Sequence, residues 1–137
     1  MTMQELRLGN FVRYKDLAEN SRWETHQINY RDYELMHVAT RVTGGISAHF
    51  KPIKINEDWL EKFGFEKNLK DNIEFNYVKL PFIVHFLEGK PYKVSSLGYA
   101  NHGFLEGLDA GNIEHVHELQ NLYFALTKEE LLAKELV

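Results

Sequence analysis

The sequence predicts an α+β fold in which a curved antiparallel sheet packs against a C-terminal helix. The first two thirds of the chain contain short runs of aromatic and β-branched residues separated by turn residues, which is typical of antiparallel strands. From 113 to 126, apolar residues instead recur at helical spacing. With 137 residues, 44% of them hydrophobic, the chain is long enough to form one buried core. We therefore predict a single domain over residues 1–137, with a small barrel in the N-terminal half as one form of the sheet.

The N-terminal half is predicted to consist of short strands. Phe11–Tyr14 follows a Gly-Asn turn, and Trp23–Tyr30 and Tyr33–Ala39 are rich in the residue types that strands favour. The dipeptide Arg31-Asp32 would join the last two as a tight hairpin. Alternating apolar residues from Ile46 to Phe50 indicate another strand.

A short helix is predicted after Asn56, where several local signals agree. Asn56 is a favourable N-cap, and Ile55 and Leu60 stand at the two positions of a hydrophobic staple. Gly64 suits the left-handed residue that follows a helix, and Phe65 is placed to fold back on Leu60 in a Schellman ending.

Strands are predicted again in the middle of the chain. Ile73–Leu80 alternates apolar and polar residues, and Phe82–Leu87 is nearly all apolar, which indicates a central strand. Tyr92–Leu97 would pair back after a Gly-Lys-Pro turn. We interpret the glycine-rich segment 98–111 as loops around one short strand near Phe104.

The helix predicted from Ile113 to Leu126 has apolar residues over an arc of about 200°, wider than a surface helix needs. Gln120 lies inside this arc. Because a buried amide without partners costs about 1–3 kcal/mol, we expect the Gln120 side chain to bond to strand backbone. The sequence Thr127–Glu130 matches a capping box and predicts a second helix.

Composition and motifs exclude several classes of function. The chain has no cysteine, which excludes disulfides and thiol catalysis and fits a cytoplasmic protein. It contains no phosphate-binding P-loop, no nucleophile elbow of the G-x-S-x-G type and no H-E-x-x-H zinc motif. The N-terminus lacks the pattern of a secretory signal, and no apolar run approaches the roughly 18 residues of a membrane span. We therefore expect no membrane partner.

Charge is distributed unevenly along the sequence. The formal net charge is -4, and the segment 94–137 contains two basic and seven acidic residues. Arginines, whose planar groups suit phosphate and carboxylate, concentrate before position 50. Basic and aromatic residues are also adjacent there, which is one feature of surfaces that bind single-stranded nucleic acid. These neighbours are Tyr14-Lys15, Arg22-Trp23 and Tyr30-Arg31.

Seven histidines are the main candidates for chemistry. His115 and His117 point in different directions if they lie on a helix and do not easily share a metal, whereas on a strand they could. We predict no metal site, and we also predict no cofactor and no catalytic residue. We expect His115 to pack near the helix start and His117 to face solvent or a neighbour. The predicted binding residues are Asn101 and His102 in the glycine-rich segment, and His117 and Asn121 on the C-terminal helix.

Three segments together carry a resemblance. They are Leu6–Val12, Pro52–Phe65 and His115–Thr127, about a quarter of the chain. They resemble an uncharacterised family of short bacterial and phage-borne proteins with motifs such as P-I-x-L-T-E-E-W-L-x-K-F-G-F and V-H-Q-L-Q-N-L-Y-F-A-L-T. Asn56, Glu118 and Lys128 depart from the pattern, where Thr, Gln and Gly are usual. The resemblance implies one compact domain in a bacterial or phage setting, and it implies no activity.

The sequence therefore favours a non-enzymatic binding or interaction module, associated with phages or mobile elements, whose partner is an unidentified protein. Two alternatives stay open. The first is a nucleic-acid-binding accessory protein that uses the arginine-bearing N-terminal strands. The second is a small histidine-dependent hydrolase or metal enzyme that uses His102, His115 or His117.

Overall fold

A computed structural model describes residues 1–16, 21–69, 74–80, 82–100, 103–109 and 113–134. They form two antiparallel sheets and three helices, so the predicted mixed α+β architecture with a C-terminal helix is confirmed. The chain divides into two compact units. The N-terminal unit comprises residues 1–54 and 115–122, and the second unit comprises residues 55–114 and 123–137. The single domain over residues 1–137 stays a prediction.

The N-terminal unit contains a three-stranded sheet and one long helix. The strands are β1 (Phe11–Tyr14), β2 (Glu24–Gln27) and β3 (Phe50–Lys51), in the order β2-β1-β3, and helix α1 (Tyr30–Thr43) connects β2 to β3. Because β2 and β3 each pair with β1 alone, the described strands do not close into the barrel that the sequence suggested. The core of this unit is Leu6, Val12, Ile28, Met36, Ile46 and Phe50.

The strand predicted over Tyr33–Ala39 is wrong, because these residues belong to helix α1. The side chain of Asn29 accepts hydrogen bonds from the backbone N–H groups of Arg31 and Asp32, and the Asp32 carboxylate accepts one from the Asn29 N–H at 2.7 Å. This capping box satisfies donors that a helix start leaves open. Local capping therefore outweighs the strand preference of the aromatic and branched residues, which depends strongly on context.

The second unit begins with the short helix that the sequence predicted. Helix α2 covers Glu57–Lys62, and the Asn56 side chain accepts a hydrogen bond from the Trp59 N–H at 2.9 Å. Gly64 has a φ of 86°, and the Phe65 N–H donates to the Leu60 carbonyl at 2.9 Å, as a Schellman ending requires.

A five-stranded antiparallel meander follows α2. Its strands are β4 (Glu66–Leu69), β5 (Glu74–Lys79), β6 (Phe82–Leu87), β7 (Lys90–Ala100) and β8 (Gly103–Asp109). The strands predicted near residues 73–80, 82–87, 92–97 and 104 are therefore confirmed, although β7 and β8 are longer than expected.

The C-terminal helix is confirmed, and the second helix predicted after it is wrong. Helix α3 covers Val116–Thr127, and residues 128–134 are not helical. Lys128 has a φ of 62°, which ends the helix, and the Thr127 hydroxyl accepts a hydrogen bond from the Glu129 N–H at 3.1 Å. The threonine thus closes a tight turn rather than capping a new helix. Among the described residues, no helix is long and apolar enough to cross a membrane.

Tyr77 joins helix α2 to the meander. Its ring is 1% exposed, and its hydroxyl donates to Glu57 at 2.9 Å and to Glu61 at 3.0 Å. Burial raises the pKa of the Tyr77 hydroxyl, and the bonds to the two carboxylates raise that pKa further. The hydroxyl therefore stays protonated and acts as the donor.

We expect Tyr77→Phe to lower the free energy of unfolding by about 1–2 kcal/mol, because it removes a hydrogen bond to charged groups. Urea unfolding measures this loss, provided that the slope of the free energy of unfolding against urea concentration is the same in both proteins. Tyr92→Phe is the matched control, since the Tyr92 side chain is 53% exposed. Equal stability of the two variants would contradict the role given to the Tyr77 hydroxyl.

Candidate functional site

The structure places two of the four predicted binding residues. His117 and Asn121 lie on consecutive turns of helix α3, in the part that belongs to the N-terminal unit. Asn101 and His102 lie outside the described residues. Two amides of α3, Gln120 and Asn121, bond to the segment around the start of β1, and the ring of His117 stacks on that of His115, which precedes the helix.

The Asn121 side chain forms hydrogen bonds to the segment that precedes β1. Its Oδ1 accepts from Arg7 Nη1 at 3.2 Å and from Asn10 Nδ2 at 2.9 Å, and its Nδ2 donates to the Glu5 carbonyl at 2.8 Å. These contacts join residues more than 110 positions apart in the chain. In this arrangement the Asn121 amide fastens two parts of the fold together.

Gln120 bonds to strand backbone, as the sequence predicted. Its Oε1 accepts from the Phe11 N–H at 2.8 Å, and its Nε2 donates to the Gly9 carbonyl at 3.1 Å. Strand β3 pairs only with Arg13 and Tyr14, so it does not reach the start of β1. The buried amide, 2% exposed, therefore supplies the pairing that the short strand β3 leaves missing.

His117 is buried rather than directed to solvent. It is 1% exposed, and neither ring nitrogen has a hydrogen-bond partner. The His115 ring lies nearly parallel to it, with centroids 5.8 Å apart, and His115 Nδ1 is 2.5 Å from Glu118 Oε1. Burial is the main cause that lowers the pKa of His117, while the Glu118 carboxylate acts in the opposite direction.

The described histidines do not gather into one site. Within the described ranges, no group of three His, Cys, Asp or Glu residues is placed to hold a metal ion. Several histidines instead have hydrogen-bond partners in different parts of the chain. These contacts are His26 with Asp32, His49 with the Lys15 carbonyl and His85 with Ser95.

A basic surface lies on the three-stranded sheet, and sequence reasoning identified only part of it. In the register of β1 and β3, Arg13 stands directly opposite Lys51, and both are exposed. Thr25 on β2 is the partner of Arg13 on the other side. Side chains of directly paired residues leave the same face of a sheet, so these three share one face.

An indole ring completes this surface. Lys51 Nζ lies 4.3 Å from the centroid of the partly exposed Trp23 ring. Trp23 precedes Thr25 by two residues, which places both on the same face. We call Arg13, Trp23, Thr25 and Lys51 the basic sheet surface. Among the described residues, neither Arg13 nor Lys51 forms an ion pair with a carboxylate.

The other face of the same sheet has a different character. It carries a cavity of about 370 Å³ lined by Tyr14, Asp16, Ser21, Arg22 and Glu24. One arginine and two carboxylates share this lining, so it does not concentrate charge of one sign. The basic sheet surface does concentrate positive charge, and we therefore take it as the candidate functional site.

No protein-family model, no curated protein and no solved structure matches this chain. The resemblance seen in the sequence therefore stays a prediction, and the geometry of the basic sheet surface is what indicates a function.

We expect Gln120→Leu to lower the free energy of unfolding by about 1–3 kcal/mol, because the Phe11 N–H loses its buried partner. Gln27→Leu is the matched control, since the exposed Gln27 amide donates to the same Gly9 carbonyl at 3.2 Å. The control should lose less than about 0.5 kcal/mol. Equal losses in chemical unfolding would contradict the structural role of Gln120.

Replacing His117 tests the consequence of its burial. A histidine whose folded pKa is lowered binds its proton more readily in the unfolded chain, so stability falls as the pH drops below the ordinary value of 6.5. We expect His117→Leu to weaken this dependence and to keep or raise stability at neutral pH.

Thermal unfolding across a pH series measures both effects of the His117 replacement. The exposed His37 supplies the control, and His37→Ala should leave the pH dependence as in the wild type. A His117→Leu variant that loses stability on acidification as steeply as the wild type would contradict this account.

Proposed function

We propose that this protein is a non-enzymatic binding module whose polyanionic partner contacts the basic sheet surface. The observation that carries the proposal is the pairing of Arg13 with Lys51. Two cations directly opposite each other in a sheet repel and destabilise the pairing of their strands. An anion bound between the two cations would offset this repulsion.

The geometry suits an anion in a specific way. An arginine fork presents several N–H donors in one plane, and a neighbouring ammonium group adds a compact positive charge. A phosphate or carboxylate placed between them would accept charge-assisted hydrogen bonds from both side chains. Since no described carboxylate pairs with Arg13 or Lys51, an anionic partner would not have to displace one.

The charge of the rest of the chain indicates where an anionic partner would bind. The whole chain has a net charge of -4, so it does not attract anions in general. An anionic partner is attracted only where cations gather, and this favours local contact over diffuse adsorption. The module we propose accepts either an acidic protein segment or a nucleic acid.

We also propose a biological origin and a cellular location for the protein. The sequence resemblance supports a bacterial, phage or mobile-element origin, and the absence of cysteine supports a cytoplasmic location. Both statements are proposals that the binding experiment does not require.

Neutralising both cations tests the proposed function. We expect Arg13→Ser with Lys51→Ser to elute from immobilised heparin at clearly lower salt than the wild type. The slope of log affinity against log salt should fall by about two, since each lost contact to the polyanion removes about one. The measurement is binding of labelled heparin across a salt series.

The matched control removes the same charge elsewhere. Arg41 and Lys90 are both exposed, and Arg41→Ser with Lys90→Ser should leave heparin binding close to that of the wild type. Failure of the wild type to bind heparin at low ionic strength would contradict the proposal. Equal weakening by the two double variants would contradict the assigned surface.

A further inference from the structure

We infer that the polyanion is a single-stranded nucleic acid and that one of its bases stacks on Trp23. This inference rests on the proposed function and adds the chemical class of the partner. The observation that supports it is that Lys51 Nζ, which has no described carboxylate partner, lies 4.3 Å from the ring centroid of the partly exposed Trp23.

Proteins that bind single strands combine two features on one surface. Cations follow the phosphate backbone, and aromatic rings provide a platform on which a base stacks. The basic sheet surface has both, because Arg13 and Lys51 are paired in register and Trp23 lies against Lys51. An acidic peptide would use the cations and would gain nothing specific from the indole ring.

Lys15 extends the row of positive charge. It follows Arg13 by two residues, and its backbone N–H donates to the His49 carbonyl, which continues the β1–β3 ladder by one step. Lys15 thus adds a third, partly exposed cation at the end of β1. Three contacts to a single strand correspond to a slope of about -2 in log affinity against log salt.

A single strand fits this surface better than a duplex. The bases of a duplex already stack on each other, so an indole ring finds a base face only after one base has left the stack. The surface is built on three short strands, the longest of four residues, and it is not a helix that enters the major groove.

The experiment uses the full chain and a labelled oligothymidylate of about twelve nucleotides, a length within the site sizes known for such surfaces. We expect salt-dependent binding in fluorescence anisotropy. Trp23→Leu should weaken it about 5- to 100-fold, because stacking is lost. The same variant should bind heparin as the wild type does, since its cations remain. Trp23→Phe, which keeps a smaller ring, should lie between the two.

Tryptophan emission gives a second readout. The chain has two tryptophans, and Trp59 is only 6% exposed. In a Trp59→Phe background, the oligonucleotide should quench the emission of Trp23, whereas heparin, which has no bases, should not. The anisotropy measurement retains Trp59 and stays decisive if the background variant does not fold.

The outcomes separate the inference from the proposed function. If Trp23→Leu binds the oligonucleotide as tightly as the wild type while Arg13→Ser with Lys51→Ser loses heparin binding, the inference fails and the proposed function stands. Polyglutamate or a duplex of the same length binding more tightly than the oligonucleotide also overturns the inference. If neither heparin nor the oligonucleotide binds, both fail.

Discussion

The position of strand β1 depends on two amide side chains from a distant part of the sequence. Gln120 and Asn121 on helix α3 bond to the chain between Glu5 and Phe11, where strand β3 is too short to serve as a partner. Backbone groups buried in this way must be paired, and the amides provide the pairing. The first residues of β1 therefore depend on helix α3 for their pairing.

The register of β1 and β3 produces the arrangement to which we assign function. Once Tyr14 pairs with Phe50, Arg13 must stand opposite Lys51, and the Lys51 ammonium lies against the Trp23 ring. Functional sites commonly break a local stability rule, and a like-charge pair in a sheet is such a break. His117 is a second break, because a buried imidazole without hydrogen bonds lowers stability as well. It differs in being closed to solvent, so we assign it no binding role.

Local signals explain what the sequence revealed. The helix cap at Asn56 depends on residues within one or two helical turns of it, so the local sequence predicts it. The burial of Gln120 follows from its position inside the apolar face of one helix, so it was predicted too. Helix α1 was missed because its capping box uses Asp32 in place of the usual Glu or Gln. The Thr127 turn was misread because Lys128 adopts a left-handed conformation, which a lysine side chain does not itself indicate.

The basic sheet surface was predicted only in part, for a reason of distance along the chain. Arg22-Trp23 was noted as an aromatic residue beside a basic one, but the contacts that define the surface join Trp23 and Arg13 to Lys51. Pairing between β1 and β3 spans about forty residues and includes helix α1. Register of this kind is set by the whole unit, since no short motif specifies which residues lie opposite each other.

Titration of the isotope-labelled chain with oligothymidylate, followed by amide and indole chemical shifts, would locate the binding surface directly. We expect the largest changes on Arg13, Thr25, Lys51 and the indole N–H of Trp23, and we expect them to fade as salt is added. Changes confined to helix α1 or to the five-stranded meander, with the basic sheet surface unmoved, would contradict this expectation.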